Sequence, residues 1–412
     1  MKVDLQCTLS DPHLDLSQAN SQRQLAIELS ALPVGRNSNA PLNLCLVLDH
    51  SGSMAGSPLR TVQQAAYRIV DNLTPEDQLS VVIFDHQAKV LIPQQHVTQP
   101  NLIKQQISSI KANGGTAIDE GLKLGIEEVA KGKEGYISQI FLLTDGENEH
   151  GDNERCLKLA HLAADYTLTL STLGFGDHWN QDVLERIADA GGGSLAYIQQ
   201  PEDAIAEFSR LLTRMQSVGL TNAHLIFNLM PGVRLAELKP IAQVAPDTIE
   251  LSVFQEANQA TVRLGDLMVN VPRVVLANLY IGRRVEGTHP ILQVQVQYDD
   301  PFKGGKANLS DLVTVNATTQ AVYQPAPNLQ VQQHVLALAK YRQTQIAEQK
   351  LQLGDRQGAV TLLQSAAKTA LQMGDTKAAT VLQDNATRLQ AGKELTERDR
   401  KQTRIVSKTM LQ

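Results

Sequence analysis

The sequence predicts an α/β fold in which a doubly wound, mostly parallel sheet is inserted in an antiparallel β-sandwich and followed by a small α-helical C-terminal region. Three observations support this prediction. Strand-like apolar runs alternate with helical patterns between residues 41 and 217, which is typical of a parallel sheet covered by helices on both faces. Runs that alternate apolar and polar residues lie on both sides of that region. From residue 326 onward the apolar positions recur at helical spacing.

The outer strands are predicted to form one sandwich. Residues 3–9 (VDLQCTL) and 23–32 (RQLAIELSAL) each have one apolar face, and because they precede the α/β region their partners must lie elsewhere in the chain. Similar runs, separated by turn residues, follow the α/β region at 223–229, 248–254, 260–267, 273–281, 291–298 and 311–317. We therefore expect residues 1–40 and 218–325 to build the β-sandwich, with residues 41–217 inserted between them.

Within the α/β region the elements follow in a regular order. Ser57 and Pro58 favour the start of a helix after the first buried strand. The run at 88–93 (AKVLIP) indicates an antiparallel edge strand, and the last helix is expected over 202–215 (EDAIAEFSRLLTRM). The remaining buried strands are predicted to end at Asp49 and Asp145 and to occupy 79–84, 166–176 and 194–198.

The C-terminal region carries a short repeated motif. The pattern LQxGD occurs at 351–355 and again at 371–375, and in each copy the Gly can end one helix while the Asp caps the next. This predicts a helical hairpin region of three helices over residues 326–395. Residues 396–412 are basic and weakly patterned, so we expect a disordered tail.

The stretch with the clearest functional signal is 44–53 (LCLVLDHSGS), where an apolar run stops at an acid, two hydroxyls and a glycine. Asp49, Ser51 and Ser53 are two residues apart, so an irregular turn can direct their oxygens to one point. A second apolar run ends at Asp145, and the loop NGGT presents Thr116. In open α/β sheets, sites lie at the carboxyl ends of strands, so we expect these five side chains to meet there.

Five oxygen-bearing side chains without Cys or His suit a hard divalent cation such as Mg²⁺ rather than zinc or copper. DxSxS, then a Thr, then the Asp of TDG resembles the intact metal-ion-dependent adhesion site of von Willebrand factor type A (VWA) domains. The arrangement with a flanking β-sandwich is similar to that of bacterial and inter-α-inhibitor-like proteins with such domains. The resemblance implies that Mg²⁺, or else Mn²⁺ or Ca²⁺, is held directly or through water by the five residues, Asp49, Ser51, Ser53, Thr116 and Asp145.

The function implied by this resemblance is metal-dependent protein–protein interaction, in which an Asp or Glu of a partner completes the coordination of the cation. Three alternatives remain at this stage. One is a metal-dependent hydrolase with Ser51 or a metal-bound water as nucleophile, although the motif supplies no certain general base, so we predict no enzyme activity. A second is an adaptor for a MoxR-type AAA+ ATPase, as for some bacterial relatives. A third is a channel-regulating role, which some relatives carry as a label.

The composition and the sequence patterns argue against several classes of protein. The chain has 37 basic and 43 acidic side chains and only 4% aromatic residues, which argues against a nucleic-acid partner. No apolar run approaches the roughly 20 residues of a membrane span, and the first residues lack the apolar core of a signal peptide. Cys7, Cys45 and Cys156 are odd in number and far apart, which favours reduced thiols. We therefore expect a cytoplasmic protein without membrane insertion; its oligomeric state is open.

Overall fold

A six-stranded sheet forms the centre of the α/β unit. The computed structural model describes residues 1–33, 40–176, 179–198 and 201–408. The strand order is β6-β5-β4-β7-β8-β9, with every neighbouring pair parallel except β5 and β6, which are antiparallel at one edge as predicted. These strands are β4 (Leu42–Asp49), β5 (Gln78–Phe84), β6 (Ala88–His96), β7 (Ile137–Thr144), β8 (Thr169–Phe175) and β9 (Gly192–Ile198). Strands β4, β5, β7 and β8 are buried along their whole length, which explains their near-continuous apolar sequences.

Helices cover both faces of this sheet. They are α1 (Ser57–Asn72), α2 (Pro100–Ser108), α3 (Ile118–Ala130), α4 (Asn153–Asp165), α5 (Gln181–Ala190) and α6 (Pro201–Gln216). Apolar residues of α1, α2 and α6 share one core with the sheet, and those of α3, α4 and α5 share another. The structure therefore confirms the doubly wound arrangement.

Two sheets pack on each other as the predicted sandwich, and their named strands pair antiparallel except β2, which is parallel to β19. One has the order β1-β3-β16-β12-β13, with β11 also beside β16; the other has the order β14-β15-β10-β17-β19-β2, with β18 beside β17. Before the α/β unit lie β1 (Lys2–Leu9), β2 (His13–Asp15) and β3 (Asn20–Leu32). After it follow β10 (Val218–Leu229), β11 (Val233–Leu235), β12 (Ile241–Ala245), β13 (Ile249–Glu250), β14 (Val253–Glu256), β15 (Gln259–Met268), β16 (Arg273–Gly282), β17 (Gly287–Asp300), β18 (Gly305–Leu309) and β19 (Val313–Gln320).

The N-terminal strands join the later ones as expected. Strand β3 pairs antiparallel with β16 over ten residue pairs, and a single core includes apolar side chains of both sheets. The prediction of a single strand at 248–254 was wrong. The chain there makes two short strands in different sheets, β13 beside β12 and β14 beside β15, because it crosses between the sheets at Leu251 and Ser252. Residues 34–39, which we assigned to the sandwich segment 1–40, lie outside the described residues.

The C-terminal region begins with the predicted hairpins, in α7 (Leu329–Gln352), α8 (Arg356–Gln372) and α9 (Thr376–Gln390). The role of the repeated motif is confirmed. Gly354 and Gly374 both have φ of 80°, which suits glycine at a helix end. The side chain of Asp355 accepts from the backbone N–H of Gly358, and that of Asp375 accepts from Ala378, each at the start of the next helix.

The prediction of a disordered tail was wrong for residues 397–408, which form a fourth helix, α10 (Glu397–Lys408). Residues 409–412 lie outside the described residues. Ion pairs hold α10: Arg404 contacts Glu348 of α7 at 2.7 Å and Glu185 of α5 at 3.1 Å, and Lys408 contacts Glu185 at 2.6 Å. These partners are distant in sequence and the helix has no long apolar stripe, so the sequence pattern gave little indication of an ordered element.

None of the helices in the described part of the chain combines the length and apolar character that a membrane span requires. Cys7, Cys45 and Cys156 are free thiols, as predicted. Burial raises the pKa of each of these thiols to about 12, so they are protonated near neutral pH.

Candidate metal centre

The five predicted site residues meet at the carboxyl edge of the parallel sheet. Asp49 ends β4, and Ser51 and Ser53 lie in the turn that follows, which contains a single turn of 3₁₀-helix over Gly52–Met54. Asp145 directly follows β7, the neighbour of β4. Thr116 lies in the loop before α3. Parallel pairing brings the ends of β4 and β7 together, although Asp49 and Asp145 are far apart in the sequence.

Hydrogen bonds connect the oxygens of the first two loops. The backbone N–H of Ser51 donates to Oδ1 of Asp49 at 2.7 Å, and the hydroxyl oxygens of Ser51 and Ser53 are 3.0 Å apart. The hydroxyl of Ser53 donates to Oδ1 of Asp145 at 2.6 Å. The two carboxylates and two of the hydroxyls thus form one connected cluster.

The third loop is fixed against the first by backbone hydrogen bonds. The N–H of Gly52 donates to the carbonyl of Gly114 at 2.9 Å, and the N–H of Asn113 donates to the carbonyl of His50 at 2.7 Å. A methyl group built on Gly146 would lie 3.3 Å from Oγ1 of Thr116 and 3.9 Å from Oγ of Ser53. The two hydroxyls therefore face the same small space.

Gly114 of the NGGT loop has a backbone conformation that favours glycine, and the rings of two exposed histidines lie close to Gly114 and Gly115. Gly114 has φ of 73°, and a Cβ there would lie 2.6 Å from Nδ1 of His86. A Cβ on Gly115 would lie 2.3 Å from the ring of His150. This close packing positions the backbone of Thr116, whose carbonyl accepts from the N–H of His150 at 2.9 Å.

The cluster has a buried interior and an exposed outer rim. Asp49 is completely buried, and Ser51 and Thr116 are also buried, whereas Ser53 is exposed. Burial raises the pKa of Asp49 to about 6, hydrogen bonds from Thr144 and Ser51 act against this shift, and the charge of Asp145 adds to it. A cation between the two carboxylates would counter both the burial and the repulsion.

The donor set fits a hard divalent cation. Two carboxylates and three hydroxyls supply oxygen ligands only, and such ligands suit Mg²⁺, Mn²⁺ or Ca²⁺. Among the described residues no group of three or more His, Cys, Asp or Glu side chains is arranged to hold a metal. When bound, a cation supplies an electrophilic centre at the exposed rim.

Thr144 is a further residue of the site that the sequence analysis did not single out. Its hydroxyl donates to Oδ2 of Asp49 at 2.5 Å and accepts from the N–H of Gly146 at 3.2 Å. It thereby connects the buried carboxylate to the loop that carries Asp145. The sequence feature that could have identified Thr144 is its hydroxyl side chain at the end of an apolar run, directly before Asp145.

His50 lies between two residues of the motif, and its ring is directed elsewhere. Nδ1 of His50 lies 3.0 Å from the carbonyl oxygen of Lys111, and Nε2 lies 4.0 Å from Oδ2 of Asp85. The ring therefore supports the neighbouring loop.

Comparison with known proteins agrees with this architecture. The family model of the von Willebrand factor type A domain matches residues 43–210, and that of the Sll0103-like, C-terminal alpha-helical domain matches residues 329–412. Uncharacterized protein sll0103 of Synechocystis sp. is 58% identical over 412 residues, which cover 100% of this chain and 98% of the relative.

A more distant relative in sequence shares only part of the chain. Inter-alpha-trypsin inhibitor heavy chain H4 of Bos taurus is 30% identical over 178 residues, 40% of this chain and 19% of that protein.

Among solved structures, a von Willebrand factor type A protein from Catenulispora acidiphila has a TM-score of 0.83 at 17% identity, with 100% of this chain and 98% of that chain covered. At this identity the likeness shows the fold alone.

The match over nearly the full length of both chains, together with the two family models, establishes the relationship. The chain belongs to the family of von Willebrand factor type A domain proteins that carry an Sll0103-like C-terminal α-helical domain.

Proposed function

We propose that this protein is a metal-dependent protein-interaction module. Asp49, Ser51, Ser53, Thr116 and Asp145 hold a divalent cation, in the first place Mg²⁺, and an Asp or Glu side chain of a partner protein completes its coordination. VWA domains commonly serve as protein-interaction modules, which agrees with this assignment. The observation that carries the proposal is the convergence of oxygens from three loops on one exposed edge of the sheet.

With a cation bound, the charge of the cluster does not repel an acidic partner. Two carboxylates balance the charge of a divalent cation, and the three hydroxyls add no further negative charge. Mg²⁺ keeps a near-octahedral shell of about six oxygens, some of them usually water, so a partner carboxylate can replace a water. The exposed rim at Ser53 makes this position reachable from solvent.

Binding is favoured over hydrolysis by what the hydroxyls contact. The hydroxyl of Ser51 lies beside that of Ser53, and the hydroxyl of Ser53 donates to the Asp145 carboxylate. The ring of His50, the imidazole within the DxSxS motif, is directed at the carbonyl of Lys111. A serine nucleophile needs a general base within hydrogen-bond reach, and a carboxylate that also holds a cation is a weak one.

The first experiment is calorimetric titration of Mg²⁺, Mn²⁺ and Ca²⁺ into metal-free protein. Asp49→Asn keeps the shape of the buried side chain and removes its charge, and Ser57→Ala serves as control because Ser57 is exposed at the start of α1. We expect binding that Asp49→Asn abolishes and Ser57→Ala preserves. Absence of binding to folded protein would contradict the metal site.

The second experiment tests the partner. A displayed peptide library is selected on the immobilised full chain in Mg²⁺ and again in chelator. We expect enrichment of Asp- and Glu-containing peptides in Mg²⁺, lost in chelator and in Asp145→Asn. Peptides that bind equally well in chelator would overturn the metal-bridged mechanism. Metal-dependent turnover of phosphate or acyl esters that is lost in Ser51→Ala would favour the hydrolase.

A further inference from the structure

A cavity of about 380 Å³ opens between the α/β unit and the β-sandwich. It lies at the amino end of β9, on the edge of the parallel sheet opposite the metal centre. Leu157 of α4, Arg186 of α5 and Gly192 of β9 contribute to one wall, and Leu251, Arg263 and Arg273 of the sandwich contribute to the other. Cavities at the junction of two structural units are frequent sites of small-molecule binding.

Three arginines converge on this cavity from partly or fully buried positions. Arg273 is only 7% exposed, and Arg214 and Arg263 are partly buried. Nη2 of Arg273 donates to the carbonyl of Asp266 at 2.9 Å, and Nη1 donates to the carbonyl of Leu264. Nη2 of Arg263 donates to the carbonyl of Ala164 at 2.9 Å. Neutral carbonyls orient these guanidinium groups without neutralising them.

One donor of the cluster has no partner. Nε of Arg273 is buried and makes no hydrogen bond in the described part of the chain. A buried donor without an acceptor loses its hydrogen bonds to water and gains none in return, which is costly for a charged group. The chain itself therefore compensates the burial of Arg273 only in part; because Nε has no exposed surface, a molecule in the cavity would contact other atoms of the cluster.

The carboxylates of the region do not balance the arginines. Asp266 accepts from the hydroxyl of Thr169 at 2.7 Å beside Arg263 and Arg273, and Asp247 lies 3.4 Å from Arg214. Three arginines thus face two partly buried carboxylates, and the exposed Asp165 of the rim adds a third negative charge near Arg263. Two further acids of the wall are matched from outside the cavity, Glu250 by Arg342 at 2.8 Å and Asp189 by Lys408 at 3.2 Å. Asp165 and Arg186 are both exposed at the rim.

This arrangement lowers the pKa of Arg273. Burial lowers the pKa of its guanidinium to about 10, the nearby charges of Arg214 and Arg263 lower it further, and Asp266 acts in the opposite direction. An anion beside these groups would offset the repulsion among the three arginines and favour the charged form of Arg273.

We propose that this cavity is a binding site for a small organic phosphate, whose phosphoryl oxygens are bound by Arg263 and Arg273 with Arg214 nearby. Guanidinium groups match phosphate with paired, parallel N–H donors. The cavity volume lies within the range of about 300–1,000 Å³ that is common for small-molecule sites, so it holds more than an inorganic ion. Gln243 and Ser252 supply polar groups for the organic part, and Leu157 and Leu264 supply apolar contacts.

The glycines at the cavity are necessary for its shape. Gly192 has φ of 71°, and a Cβ there would lie 3.0 Å from Nη1 of Arg263. A Cβ on Gly193 would lie 2.2 Å from the carbonyl oxygen of Leu170. Because one wall belongs to the α/β unit and the other to the sandwich, a bound phosphate would stabilise the two units against each other.

The test is calorimetric titration of inorganic phosphate, glycerol 3-phosphate and adenosine monophosphate into the full chain at constant ionic strength. The protein is freed of metal and chelator, so that a cation at the metal centre does not contribute. We expect the two esters to bind more tightly than inorganic phosphate, and their order distinguishes a polyol phosphate from a nucleotide. No binding of either ester to folded protein would overturn the proposal, as would equal affinity for inorganic phosphate.

Substitutions of the arginines test whether the phosphate esters bind in this cavity. Arg263→Gln should weaken the binding of the tighter ester at least tenfold, whereas Arg60→Gln, on the exposed surface of α1, should leave it unchanged. Arg273→Gln should abolish it; because Arg273 is buried and that variant can fail to fold, Arg263→Gln is the deciding variant. Unchanged affinity in folded Arg263→Gln would contradict the site.

Discussion

The hydroxyl of Ser53 donates a hydrogen bond of 2.6 Å to Oδ1 of Asp145, although 92 positions separate the two residues. This contact joins the turn after β4 to the turn after β7, and it places an exposed hydroxyl beside a carboxylate at the edge of the sheet. It is the most direct structural sign that the two motifs act as one site.

Ser53→Ala removes one oxygen of the site and the hydrogen bond to Asp145. We expect the affinity for Mg²⁺ to fall by about 10- to 100-fold, because ligands and their hydrogen-bonding partners typically contribute that much. Mg²⁺ titration by calorimetry measures it, together with the rise in melting temperature on adding Mg²⁺. Wild-type affinity in Ser53→Ala would exclude this hydroxyl from the site.

Thr144→Val keeps the shape of the side chain and removes the hydroxyl that donates to Asp49 at 2.5 Å. Because Asp49 and Thr144 are completely buried, we expect the free energy of unfolding to fall by about 1–3 kcal/mol and Mg²⁺ affinity to fall with it. Chemical denaturation and calorimetry give the two values. Thr61→Val is the matched control, since the hydroxyl of Thr61 donates only to the Ser57 carbonyl of its own helix. Equal effects of the two variants would argue against a special role for Thr144.

Lys340 is a completely buried lysine of α7 whose ammonium group donates to Asp375 at 2.9 Å and to the carbonyl of Val406 at 2.7 Å. Lys340→Met should lower the free energy of unfolding by about 3–5 kcal/mol, because it leaves the Asp375 carboxylate buried without its cation. Adding Asp375→Asn should recover part of that loss in a double-mutant cycle. Independent, additive effects in denaturation experiments would contradict the coupling.

We expect α10 to detach from its neighbours when the charged side chain of Arg404 is removed. Arg404 contacts Asp182, Glu185 and Glu348, and Lys401 of the same helix lies 4.2 Å from the ring centroid of Trp179, the single tryptophan of the chain. We expect Arg404→Ala to shift the fluorescence of Trp179 and to lower the free energy of unfolding by about 2–4 kcal/mol.

The control for this helix is Arg400→Ala, because Arg400 is exposed on α10. It should change the free energy of unfolding by less than about 0.5 kcal/mol. If both variants leave tryptophan fluorescence and stability unchanged, the ion pairs do not hold the helix.

Asp189 should make stability decrease with rising pH. Burial raises its pKa to about 6, Glu185 adds to the shift, and Lys408 opposes it. The pKa is higher in the folded chain than in the unfolded chain, so the native state binds more protons between pH values near 4 and 6. The contribution of Asp189 is therefore fully present below about pH 4 and is lost as pH rises through about 6.

Asp189→Asn should flatten this part of the pH profile. Its side chain is 28% exposed, so solvent screens it in part and we expect a change of about 1–2 kcal/mol between pH 4 and 7. Urea denaturation across that range at constant ionic strength measures it. A profile identical to that of the wild type would show that Asp189 keeps an ordinary pKa.

Local patterns predicted the elements that depend on local chemistry. Buried parallel strands appear as continuous apolar runs, as at 44–48, and the Gly-Asp pairs at 354–355 and 374–375 mark helix ends because their backbone conformation and capping are local. The metal-site residues were predictable because they directly follow apolar runs or lie in short polar loops. The side chains at such positions lie at the carboxyl edge of the sheet once the strands form. Thr144 was missed because its partner, Asp49, is known only once β4 and β7 are paired.

The tertiary structure decided the features that depend on distant charges. Helix α10 has few apolar residues, and its order comes from Glu185, Asp189 and Glu348, which are distant in sequence. The same holds for the cavity at Arg263 and Arg273, whose arginines are ordinary residues of two strands until the α/β unit packs beside them. By itself the sequence determined the fold class, the sandwich partners and the five oxygen-bearing side chains of the candidate metal centre, because hydrophobic periodicity and turn chemistry act within a few residues. Only the tertiary structure determined which charges meet, because electrostatic contacts depend on distance in space and leave no regular spacing along the chain.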